Sequence, residues 1–153
     1  MIAILSLGSN LGNRENNLEQ AVDRISLMPN TNILKKSGII ETKAWGNTSQ
    51  PDFLNMAIMI ETQFQPQELL YNLLQIEKHL GRIRTVKWAA RSIDIDIIFY
   101  EDIVLNNEEL TIPHPFMHER NFVLDSLLEI CPYYIHPVFN MTVKQIKNKY
   151  KEK

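Results

Sequence analysis

The run Ile2-Ala3-Ile4-Leu5-Ser6-Leu7, apolar but for Ser6, stops at Gly8 and predicts a buried strand; beyond it Leu18, Ala21, Val22 and Ile25 recur at helical spacing as far as Pro29. A second strand is expected within 32–42, then a loop containing Gly46 and Pro51, then a strand over 53–62. In that third strand Leu54, Met56, Ile58 and Ile60 share one face, while Phe53, Asn55, Ala57 and Met59 share the other. Pro66 stands where a first-turn proline belongs. Leu69, Leu70, Leu73, Leu74, Ile76 and Leu80 then make a helical stripe that stops at Gly81. A strand over 93–100 follows a basic loop, and the remainder carries a Pro-His-Pro turn, a helix over 120–130 and an amphipathic piece from Thr142.

The order β-α-β-β-α-β predicts an α+β fold, a ferredoxin-like βαββαβ sandwich with a C-terminal helical extension. Its helices would pack on one sheet face and leave the other free to carry a site. At 153 residues, 44% of them hydrophobic, the chain suits one domain spanning 1–153 with a real core. No internal repeat or linker interrupts it. A net charge of -2 gives no global footprint for nucleic acid or an anionic membrane, so any polyanion is bound locally.

The lone Cys131, before Pro132, reads as a small buried hydrophobe, consistent with a reducing compartment or an oxidation-indifferent fold. The apolar run at the start lacks a basic flank and is too short for a signal peptide. A cytoplasmic, soluble chain without nucleic-acid or membrane partners is expected, a monomer rather than an oligomer.

Asp94 and Asp96 lie inside the strand over 93–100, on one face and about 6.6 Å apart at the usual rise. Ile93, Ile95, Ile97 and Phe99 are expected on the opposite face, with Ile98 and Tyr100 continuing the aspartate face. Two ionised carboxylates at that distance repel by about 2.5 kcal/mol at an effective dielectric near 20, a sign that a divalent cation reverses. Hard oxygen donors favour magnesium over zinc. A solvated polar face is the competing reading.

Just upstream, 78–93 holds Lys78, Arg82, Arg84, Lys87 and Arg91 without an acid, a phosphate-sized basic loop. A helix end dressed with cations explains Lys78 but not Arg84 or Arg91. The turn Gly8-Ser9-Asn10-Leu11-Gly12-Asn13 lacks both common phosphate-loop spacings, so a tight turn capping the helix is the plainer reading. Glu77, at the edge of an apolar stripe, reads by itself as half of a surface ion pair. Trp45 and Phe53, with Asn55 on the same strand face as Phe53, could hold a flat heterocycle or simply be core. His114 sits in a rigid turn, where a histidine is usually structural.

Taken in order, Gly8 to Gly12, Thr42-Lys43-Ala44-Trp45-Gly46, Gln50-Pro51-Asp52-Phe53-Leu54-Asn55, Glu77, Gly81-Arg82-Ile83-Arg84, Trp88, Arg91-Ser92-Ile93-Asp94-Ile95-Asp96 and Pro113-His114-Pro115 through Arg120-Asn121-Phe122 resemble the hydroxymethyl-dihydropterin pyrophosphokinases of folate biosynthesis. The resemblance spans nearly the whole chain. It departs at Ala89-Ala90, where many members carry Gly-Pro, and at Lys43 and Ala44, where prolines are common.

The resemblance implies transfer of pyrophosphate from ATP to the hydroxymethyl group of 6-hydroxymethyl-7,8-dihydropterin by in-line attack on the β-phosphorus, releasing AMP. It implies that Asp94 and Asp96 hold two magnesium ions, with Arg82 and Arg91 as the other catalytic residues. The nucleotide would meet Glu77, Arg84, Trp88, Ile97, Thr111, His114 and Arg120, with Trp88 on a catalytic loop. Thr42, Ala44, Trp45, Gly46 and Asn55 would read the pterin edge between the rings of Phe53 and Phe122. Two other classes compete on the bare pattern. A ferredoxin-like RNA-binding module would need an aromatic, basic motif where Phe53-Leu54-Asn55-Met56-Ala57 stands. A metal-dependent nucleotidyltransferase is permitted by the paired aspartates alone.

Overall fold

The computed structural model describes residues 1–42, 52–81 and 93–150. At its centre lies β1 (Ile2–Ser9), hydrogen-bonded antiparallel to β4 (Phe53–Thr62) on one side and β5 (Asp94–Tyr100) on the other. Beyond β4 lie β2 (Thr31–Lys36) and β3 (Ile40–Thr42), giving the order β2-β4-β1-β5 with β3 also on β4. This is the ferredoxin-like order. The single strand expected within 32–42 is split because Ser37 leaves the ladder geometry: its Oγ accepts the Ala57 amide at 2.9 Å and donates to the Gly38 carbonyl at 2.8 Å.

One sheet face is closed by α1 (Arg14–Ser26) and α2 (Pro66–His79). Leu18, Ala21, Val22 and Ile25 of α1 meet Leu5, Leu7, Met56 and Ile58 in one core, as their spacing requires. The Asn13 side chain caps α1 by accepting the Asn16 amide at 3.1 Å, and Gly12 turns into it with φ +70°. On α2 the apolar stripe is rotated from the expected one. Leu74 is 39% exposed, and Glu77, only 2% exposed, takes its place inward beside Leu69, Leu73 and Ile76.

The opposite face is not free, contrary to expectation. A second core of Ile4, Ala57, Ile98 and Phe99 is roofed by α3 (Asn121–Ile130) and α4 (Val143–Lys149). The end of the sheet that bears Gly8, Asn55 and Asp94 lies outside that core. Two short hairpins complete the chain, β6 (Leu105–Asn106) with β7 (Thr111–Ile112) and β8 (Ile135–His136) with β9 (Met141–Thr142). Cys131 is buried as expected, and burial pushes its thiol up to about 12. Among the described residues no helix is long and apolar enough to cross a membrane.

β5 departs from simple alternation. Ile4 and Leu5 are neighbours on β1, yet they pair with Phe99 and Ile97, so β5 carries one extra residue there. Ile98 and Phe99 therefore both enter the α3/α4 core, and Tyr100 turns to the α1/α2 core. The expectation for Phe99 and Tyr100 is thus reversed, because period two fails across a bulge.

His136, 3% exposed, stacks on Phe139 with ring centroids 3.9 Å apart, and its Nδ1 accepts the Val138 and Phe139 amides at 3.2 and 3.0 Å. Burial first, then nearby His118, lowers its pKa to about 4. Protonation would also sever both amide bonds. A folded pKa below the unfolded value near 6.5 means that its stabilisation is complete above pH 6.5 and is lost as pH falls through about 4. Denaturant titrations of wild type and His136→Asn should therefore differ by a pH-dependent amount on the order of 2 kcal/mol across that window. Parallel stability curves for the two proteins would contradict this assignment.

Candidate functional site

The sheet face at the end that bears Gly8, Asn55 and Asp94 is organised in rows. Asp94 lies opposite Gly8 of β1, which lies opposite Asn55 of β4; Asp96, Ser6 and Ala57 form the next row. Adjacent strands are about 4.8 Å apart, so the Asp94 and Asn55 side chains rise about 10 Å from each other across the glycine. Gly8 keeps the floor between them flat. A Cβ there would stand 3.0 Å from Asn55 Oδ1 and 3.8 Å from Phe53 Cδ1, so the side chains of Asn55 and Phe53 lean over it. Asn55 is 5% exposed, and its Nδ2 donates to Thr42 Oγ1 at 2.8 Å, which turns Oδ1 toward the glycine row. Three of the expected pterin residues, Thr42, Phe53 and Asn55, are therefore in contact or adjacent.

Asp94 and Asp96 are half-buried on one face, as alternation predicts. Between them Ile95 turns into the α1/α2 core, and its backbone N–H donates to Glu77 Oε2 at 2.7 Å. Glu77 is therefore not a surface residue. It is a buried carboxylate behind the strand that carries both aspartates. The signal was present in the sequence: Glu77 falls on the same helical row as Leu73 and Leu69, four and eight residues back.

The Pro-His-Pro turn is tied to β5 at its bulge, where the His114 amide donates to the Ile98 carbonyl at 3.0 Å. The imidazole lies within electrostatic reach of Arg120 and Asp94. Burial first, then Arg120, lowers its pKa to about 4, with Asp94 opposing. At neutral pH it is uncharged. Its Nδ1 accepts the Phe116 amide at 3.2 Å, so the ring proton is assigned to Nε2, a donor for an anionic oxygen. Arg120 is the residue immediately before α3, and Phe122, half-buried against the α3/α4 core, lies in that helix's first turn.

Thr111 stands half-buried on β7, with its Oγ1 donating to Asn106 Oδ1 at 3.3 Å. Ile97 points into the α1/α2 core, away from the aspartate face, so only its main chain could meet a ligand there. Arg82, Arg84, Trp88 and Arg91 lie outside the described residues, as do Ala44, Trp45 and Gly46. Arg14, which the sequence reading did not single out, contacts both Glu41 and the Asp52 carbonyl.

The donor set fits a hard divalent cation. Two half-exposed carboxylates share one face, and among the described residues no group of three His, Cys, Asp or Glu gathers to complete a protein-only shell. The remaining ligands of an octahedral ion would be phosphate oxygens and water, which is magnesium's usual habit.

A family model described as 7,8-dihydro-6-hydroxymethylpterin-pyrophosphokinase (HPPK) matches residues 4–132. The chain is 41% identical over 143 residues to a 2-amino-4-hydroxy-6-hydroxymethyldihydropteridine pyrophosphokinase of Aquifex aeolicus, covering 94% of this chain and 88% of that protein. It is 45% identical over 130 residues to the Bacillus subtilis protein of the same name, covering 85% and 78% respectively. Among solved structures, Plasmodium falciparum HPPK-DHPS with pteroate superposes with a TM-score of 0.76 at 18% identity. That match covers 97% of this chain but 42% of the longer one, and at such identity it speaks for the fold alone. With the aspartate pair, the glycine floor and the Asn55 amide in place, the chain belongs to the 7,8-dihydro-6-hydroxymethylpterin-pyrophosphokinase family.

Proposed function

We propose that this sheet end is where the chain transfers pyrophosphate from ATP to the hydroxymethyl group of 6-hydroxymethyl-7,8-dihydropterin, releasing AMP, in folate biosynthesis. One observation carries the reading: the row Asp94, Gly8, Asn55 sets a carboxylate and a buried amide at opposite ends of a flat floor about 10 Å wide. A bicyclic ring with a one-carbon arm fits that span, with its polar edge on the amide and its hydroxyl toward the aspartates.

In this reading Thr42 and Asn55 meet the pterin edge, Asn55 through its Oδ1, while Phe53 and Phe122 supply ring faces. Ala44, Trp45 and Gly46 would add to the same edge. Glu77, Arg84, Trp88, Ile97, Thr111, His114 and Arg120 are assigned to ATP, with His114 donating from Nε2 and Arg120 contributing charge. Asp94 and Asp96 would hold two magnesium ions, which when bound neutralise phosphate charge and make the β-phosphorus more electrophilic. The hydroxymethyl oxygen bonds to that phosphorus as the bond to the α-phosphate oxygen breaks in line. The hydroxyl proton passes to a carboxylate or to water. Positioning and fixed positive charge from Arg82 and Arg91 do most of the work, since phosphoryl chemistry asks little covalent help of the protein.

The test is the nucleotide product formed from ATP, magnesium and the pterin alcohol. AMP is expected, and ADP would mark an ordinary kinase. Asp94→Ala and Asp96→Ala should each abolish turnover while melting close to wild type, because each deletion relieves a like-charge repulsion. Near-normal turnover of either variant at limiting magnesium would refute the two-carboxylate site.

Glu77 provides a separate check. Glu77→Ala leaves the Ile95 amide buried without its acceptor, a loss of about 1–3 kcal/mol, whereas Glu77→Gln keeps a carbonyl acceptor in place. Urea titration should rank wild type, Gln and Ala in descending stability. Equal stability for Ala and Gln would mean that the Ile95 bond contributes nothing.

A further inference from the structure

We infer that Arg14 is a positioning residue for pterin recognition: from the far side of the sheet it fixes β3 against the start of β4, and so fixes the Thr42–Asn55 contact. The inference rests on the pterin reading of that contact. One guanidinium nitrogen, Nη1, makes both bonds, donating to Glu41 Oε2 at 3.0 Å and to the Asp52 carbonyl at 2.7 Å. Glu41 is on β3; Asp52 immediately precedes β4. Thr42 pairs with Phe53, so the two acceptors are the residues that immediately precede each member of that facing pair and flank it on opposite sides.

The pleat explains why Arg14 cannot touch the ligand and can still govern it. Glu41 and Leu54 face the α1 side, while Thr42, Phe53 and Asn55 face the site. β3 has only three residues and pairs only with β4 among the described strands, so its ladder alone holds its register weakly. A shift of β3 by one residue would carry Thr42 to the other face and break its 2.8 Å bond with Asn55.

Helix stability does not account for this residue. Arg14 opens α1, where a cation opposes the helix dipole, and the capping is already done by Asn13. Nor does the ion pair with Glu41, whose side chains are 30% and 55% exposed and so screened by water. The charge-assisted bond to the Asp52 carbonyl is the part that a simple surface pair does not explain.

Steady-state kinetics and pterin titrations in the presence of magnesium and a non-hydrolysable ATP analogue, on the whole chain, test the inference. Arg14→Ala should raise the pterin KM and Kd about tenfold, with ATP KM and kcat within twofold of wild type. Arg14→Lys should recover most of the loss, because one ammonium can reach both acceptors. Glu41→Gln, which keeps a side-chain carbonyl acceptor for Arg14 on β3 and leaves the Asp52 bond, should change pterin KM less than threefold. An unchanged pterin KM in Arg14→Ala, or equal rises for pterin and ATP, overturns the assignment. Asn55→Ala separates the two levels. If it weakens pterin binding while Arg14→Ala does not, only the positioning role falls; if neither does, the pterin reading falls with it.

Discussion

The one extra residue in β5 is the constraint on which the rest of this site depends. Because Ile4 and Leu5 of β1 pair with Phe99 and Ile97, the strand can present two carboxylates on one face and then bury Ile98 and Phe99 on that same face. Tyr100 is freed to fill the α1/α2 core, and the Ile98 carbonyl is left to accept the His114 amide. A regular strand would have set Tyr100 under α3 and α4 and offered the Pro-His-Pro turn no such anchor. Bulges commonly re-aim side chains beside active sites, and this one sets the boundary between core and site within a single strand.

That boundary is electrostatic as well as steric. Two half-exposed aspartates lie in front of β5 and a buried glutamate behind it, joined through the Ile95 amide. An acceptor for that amide is necessary, since a buried N–H without a partner is costly. Using a carboxylate for it places an acidic side chain directly behind the strand end that carries Asp94 and Asp96. Arg120 brings positive charge close to His114, whose imidazole is kept neutral chiefly by burial and can donate a hydrogen bond without carrying charge.

On the opposite side of the row, the amide of Asn55 depends on absence and on restraint together. Gly8 leaves the space that Asn55 Oδ1 leans over, and Thr42 fixes the rotamer. β3, which brings Thr42, is three residues long and pairs only with β4 among the described strands, so Arg14 at the start of α1 adds a tie at this corner. Preorganisation of this kind concentrates binding energy in few groups.

Much of this was legible in the linear chain. The order of strands and helices, the apolar faces of α1 and β4 and the shared face of Asp94 and Asp96 follow from periods of 3.6 and two, which are local properties of backbone geometry. The motifs around Asn55, Asp94 and His114 carried the family. Three features did not follow from the sequence, each for the same reason: they are set by a partner distant in sequence. The bulge at Ile98 exists only against β1, so Phe99 and Tyr100 were assigned to the wrong faces. The second core exists only once α3 folds over Ile4 and Ala57, so a face expected to be free is half covered. The inward row of Glu77 was legible from Leu69 and Leu73, but the Ile95 amide that it accepts was not. Periodicity fixes which way a side chain points along its own element; what stands opposite it is decided by the pairing of elements, and that pairing is where tertiary structure adds its own information.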